Sequence, residues 1–102
     1  MGDRVSISFR NTKQPDFMQE SVTLFSHWGG MSVVAAAKDF AKNIDRQDTY
    51  PLGRGEPATV LVAFIQSHLG DREPITGNYY LGATPDDGDN SDNGHHFIDL
   101  AS

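Results

Sequence analysis

The sequence has 102 residues, 37% of them hydrophobic, a formal net charge of −6 and no cysteine. That length makes one domain with a real core, and the apolar content excludes wholesale disorder. Without thiols there can be no disulfide, thiolate metal site or cysteine nucleophile, and no apolar run approaches the roughly 20 residues that span a bilayer.

The first residues carry neither the basic segment nor the apolar stretch of a signal peptide, and a cysteine-free chain suits a reducing compartment, so a cytoplasmic location is expected. Val5, Ile7 and Phe9 alternate with Arg4, Ser6, Ser8 and Arg10, the period of a half-buried strand. Residues 11–20 read as a connection. Residues 22–28 predict a second strand, with Val22, Leu24, Ser26 and Trp28 on one face and Thr23, Phe25 and His27 on the other. The two strands should form a hairpin with a long loop. Gly29 and Gly30 then break the chain. Val33, Ala37, Phe40, Ala41 and Ile44 recur at helical spacing, opposite Lys38, Asp39, Lys42, Asp45 and Arg46, which predicts an amphipathic helix over 31–46.

After a turn-rich link, Pro57 suits a first helical turn and Gly70 a helix end. The continuous run Val60 to Ile65 between them predicts a deeply buried helix. Residues 77–83 read as a third strand, with Tyr79 and Leu81 opposite Tyr80. Residues 84–94 form an acidic loop rich in Gly and Asn, expected to be solvated and mobile. Residues 95–100 close the chain as a fourth strand, Ile98 and Leu100 facing one way and His95, Phe97 and Asp99 the other. The order ββααββ predicts an α+β fold: a mostly antiparallel four-stranded sheet with two helices packed on it.

Charge is unevenly placed. Up to Arg72 the eight Lys and Arg residues face eight acidic ones, whereas beyond it Glu73, Asp86, Asp87, Asp89, Asp92 and Asp99 have no basic counterpart. Such a chain has no basic stripe with which to neutralise phosphates, which argues against nucleic acid and against an anionic membrane.

The segment Phe25-Ser26-His27-Trp28-Gly29-Gly30 resembles the strand, His-Trp-Gly-Gly, helix signature of a family of small uncharacterised proteins from prokaryotes and their viruses. Arg54-Gly55-Glu56-Pro57 looks like that family's helix entry. Thr76-Gly77-Asn78-Tyr79-Tyr80 is similar to its Thr-Gly-Tyr-Gly strand, with Asn78 inserted, and Asp92-Asn93-Gly94-His95 leading to Asp99 looks like its closing strand. The resemblance implies the layout and directs attention to residues 27–30; it carries no activity.

Four constellations invite chemistry. At the junction His27-Trp28-Gly29-Gly30, paired glycines permit close backbone approach. The helix start offers N–H groups and partial positive charge to a small anionic ligand, His27 a titratable group and Trp28 an apolar wall. Tyr79 and Asp99 are placed beside them as further ligand-binding candidates. The bland alternative is a tight turn with a core Trp28. The stretch Asp89 to Gly94 matches the first half of a calcium loop, but Leu100 stands where the bidentate Glu belongs. His95 and His96, neighbours on a strand, point to opposite faces and cannot share an ordinary zinc site, so no metal and no cofactor is expected. Finally, His27 and Asp99 on one sheet face could form a general-base pair, although no nucleophile completes it.

These features predict a non-catalytic binding or protein-interaction module with its ligand or anion site at residues 27–30. The alternatives are a small enzyme using His27 as acid or base, and a viral or host-defence effector acting by protein contact. Because two helices cover one sheet face, Phe25 and Phe97 on the other predict a homodimer or another protein contact.

Overall fold

A computed structural model describes residues 3–44, 55–69 and 78–100. Its elements run β1 (Val5–Arg10), β2 (Thr23–Ser26), α1 (Gly30–Lys42), α2 (Pro57–Phe64), β3 (Tyr79–Gly82) and β4 (His95–Asp99), with a short 3-10 turn at Asp16–Met18 and a wide π-type turn, Ile65–Leu69, continuing α2. The predicted α+β architecture is present. The sheet order is β3-β2-β1-β4. β2 pairs antiparallel with β1 and with β3, whereas β4 runs parallel to β1, so the sheet is mixed.

Alternation along the strands sorts the two faces. Val5, Ile7, Phe9, Leu24 and Ile98 point to the helices and pack with Val33, Val34, Ala37 and Ala41 of α1 and Val60, Leu61 and Phe64 of α2. Phe64 is the centre of this layer, its ring edge-on to Phe9 at 5.8 Å and to Phe40 at 5.6 Å. Pro57 stands at the start of α2, where its missing N–H is not needed. The side chain and N–H of Asn43 both turn back to the Asp39 carbonyl and close α1.

Three expectations change. α2 is buried on one side only: Val62 is 65% exposed, because a two-layer domain leaves the far side of each helix in water. Val22 also faces outward. Pairing slips by one residue between Ile7↔Leu24 and Arg10↔Glu20, and the extra residue turns Val22 out while Ser21 is buried, its hydroxyl accepting the Phe9 N–H.

The third change is the largest. β3 and β4 lie at opposite edges of the sheet, so residues 83–94 are not a free hairpin loop. They must cross β2 and β1, a span of roughly 14 Å at the usual strand spacing, and they do so over the face without helices. Gly88 rides on the Phe25 and Tyr80 rings, Asn90 Nδ2 donates to Ser6 Oγ at 2.8 Å, and the Gly94 carbonyl accepts the Ser6 N–H before β4 begins. Phe25, expected on an open face, is therefore fully buried, stacked on Tyr80 at 4.9 Å.

Candidate functional site

Residues 27–30 form a tightly bonded corner. The Asn78 side-chain oxygen accepts the N–H groups of His27 at 3.0 Å and Trp28 at 2.9 Å and the Ser26 hydroxyl at 3.2 Å. Ser26 Oγ in turn accepts the Gly29 N–H, and the Asp3 carbonyl accepts that of Gly30. Gly30 adopts φ +54°, which only glycine takes at little cost. A β-carbon there would collide with the Asp3 carboxylate, and one at Gly29 with Val33. The Gly29 and Gly30 N–H groups, expected to meet a ligand, are thus taken by the chain itself. Asn78 fills the backbone cradle, and Asp3 sets a carboxylate at the positive end of α1. Neither substitute was visible in the sequence, because both arrive from segments remote from the motif.

What the corner exposes is side chains. Trp28 is 61% exposed and its neighbour Met31 is 49% exposed. The His27 ring lies 5.6 Å from Trp28 and 5.1 Å from Tyr80, and Tyr80 accepts the Asp89 N–H through its hydroxyl. Trp28, His27 and Tyr80 therefore make a continuous aromatic strip beside the acidic crossing. Hydrogen bonds from the Ser91 N–H and hydroxyl hold Asp89 below the usual carboxylate range, with Arg4 and His27 contributing charge in the same direction. Arg4 bridges Asp89 at 3.1 Å and reaches Asp92 at 3.8 Å.

The other candidates separate. Tyr79 packs half-buried against the helix-side core, on the opposite face from His27, and Tyr80 takes the place assigned to it. Asp99 shares the face of His27 but not its end of the sheet. Parallel pairing sets His95 beside Ser6 and Asp99 beside Arg10, roughly 13 Å further along β1. An antiparallel β4 would have brought Asp99 toward His27; the parallel one removes the general-base pair.

Beneath the crossing, His95 bonds Ser6 Oγ through Nδ1 at 2.7 Å and Ser8 Oγ through Nε2 at 3.1 Å. Asn90 donates into Ser6 Oγ, leaving the Ser6 proton for Nδ1 and the Nε2 proton for Ser8, a complete arrangement for a neutral ring. Burial lowers the His95 pKa, the neighbouring His96 adds to that, and Glu20 opposes it. Ser6 is fully buried and both its roles are filled, so this is a clip between strands rather than a nucleophile. Further along the same face, Phe97 is 41% exposed, with the Arg10 guanidinium 4.7 Å from its ring centre.

Among the described residues no group of three His, Asp or Glu side chains could hold a metal ion, and no helix is long and apolar enough to cross a membrane. In the loop, Asn93 Nδ2 donates to the Asp3 carboxylate, and the Asp89 carboxylate is paired with Arg4. A cavity of about 420 Å³ opens between α1 and the turn after α2, lined by Asp39, Phe40, Asn43, Phe64, Ser67 and His68. It lies away from the junction, and no motif announced it. No family model, curated protein or solved structure matches the chain.

Proposed function

We propose that the protein is a non-catalytic interaction module, acting in the cytoplasm, whose contact centre is the His27–Gly30 corner. The observation that carries this is Trp28: its backbone is fixed by Asn78, yet 61% of its surface is left in water. A large aromatic ring left in solvent on an anchored backbone forgoes burial energy at home, the property of an interface anchor. Contact through side chains replaces contact through backbone N–H groups, since Asn78, Ser26 and Asp3 already engage those. Kinship with the His-Trp-Gly-Gly family belongs to the same proposal, the glycines serving to turn the chain sharply after an outward Trp.

The test compares wild type with Trp28→Ser in affinity capture from the native host, with thermal unfolding as the control for folding. The expected result is a partner recovered by wild type and lost with Trp28→Ser at unchanged stability. Recovery of the same partner by both proteins would contradict the proposal. Loss only on changing Asp86 and Asp87 would favour the effector that acts through its acidic loop. Self-association is a second reading, favoured by the exposed Phe97 on edge strand β4; sedimentation of Phe97→Ser against wild type tests it, a concentration-dependent dimer in wild type alone being the expected outcome.

A further inference from the structure

We infer that the partner presents a positively charged segment, rich in Lys or Arg, to the strip formed by Trp28, His27 and Tyr80. The inference rests on the module reading above and adds the chemistry of the occupant. Aromatic faces attract cations through their quadrupole, most strongly for Trp and Tyr, and here two such rings flank His27 at 5.6 and 5.1 Å. The rim has matching charge. Asp3 is bonded through its backbone to His27 and Gly30, Asp89 to the Tyr80 hydroxyl, and Asp92 to the Arg4 N–H. Asp3 and Asp89 thus border the strip, with Asp92 held on Arg4, whose single guanidinium already spans Asp89 and Asp92. The corner accepts a cation from its own chain and keeps a negative excess. A basic polypeptide meets both features at once: its charged heads face the carboxylates, and its alkyl stems or guanidinium planes lie on the exposed Trp28 ring. An acidic or nucleic-acid partner would meet repulsion at the carboxylates, and the one guanidinium that could attract it is already engaged by Asp89 and Asp92.

Trp28 is the sole tryptophan, so its emission reports the site directly. The protein is titrated with oligoarginine, oligolysine, oligoglutamate and a neutral leucine-rich peptide, with anisotropy of labelled peptide as a second readout. Both basic peptides should produce a saturable response. It should weaken at least about tenfold from about 0.01 M to 1 M salt, over which the screening length falls from about 30 to 3 Å. The double variant D89N/D92N keeps an oxygen acceptor at each position and should bind about tenfold more weakly. If that variant does not fold, the salt series on wild type still decides. No response to either basic peptide, an equal response to oligoglutamate, or a response indifferent to salt overturns the inference. Saturation by the leucine-rich peptide alone overturns the charge assignment and leaves the module standing. Silence from every peptide, together with equal capture by wild type and Trp28→Ser, sinks both.

Discussion

On the helix side of the sheet, Val5, Ile7, Phe9, Leu24 and Ile98 meet two helices whose apolar residues recur every three or four positions. On the other side, Phe25 and Tyr80 meet a crossing segment made largely of Gly, Asn and Asp. The first layer is held by interdigitated apolar side chains, which many sequences could supply. The second depends on backbone lying directly on aromatic rings and on side-chain amides filling defined positions, which few can. It is also the second layer that borders the exposed strip. The stable half of the molecule positions the site, and the polar half shapes it.

Substitutions can break this comparison. The largest expected effect is in the helix layer, where Phe64→Ala should cost about 3–5 kcal/mol in chemical denaturation. That is a large part of the roughly 5–15 kcal/mol typical of such a domain. Next comes the crossing: a β-carbon at Gly88 would meet the Tyr80 hydroxyl at 2.6 Å and a Phe25 ring carbon at 2.8 Å. Gly88→Ala should therefore cost about 1–3 kcal/mol by overpacking. A loop free in solvent would tolerate it, so an unchanged midpoint of unfolding would show that residues 83–94 do not lie on the sheet.

A smaller effect comes from His95. Its pKa is depressed in the folded state by burial first and His96 second. Protonation therefore favours the unfolded chain, whose imidazole titrates near about 6.5. The stability from this group is complete above that pH and falls as pH drops from there through the folded value. His95→Gln should flatten this part of the profile, whereas an unaltered acid slope would mean that the half-buried His95 is not held neutral beneath the crossing.

The helix side was legible in the sequence because burial there follows periodicity: Val33, Ala37 and Ala41, and Val5, Ile7 and Phe9, lie where their spacing puts them, whereas β1, expected to be half-buried, has Ser6 and Ser8 buried on its other face as well. Local pattern could not reveal that β4 runs parallel to β1, since strand direction depends on the path of the loop before it. Everything downstream of that choice was hidden with it, including the burial of Phe25, the separation of His27 from Asp99 and the crossing itself. The junction was half legible. Its glycines and tryptophan announced a sharp corner, but Asn78 and Asp3, which occupy its donors, come from remote segments. Gly88 carried a signal of a kind, a glycine within a loop of mostly polar residues, though many turns have one.

The smallest effect on folding is the most informative about function. If Trp28 is an interface anchor held in solvent, Trp28→Ser should change stability by no more than about 0.5 kcal/mol. The most direct measurement is acrylamide quenching of the single tryptophan in the folded protein. The account predicts emission and quenching close to those of the denatured chain, with the rest of the fold intact by circular dichroism. A shielded, blue-shifted tryptophan in the isolated protein would place Trp28 in the core and contradict it.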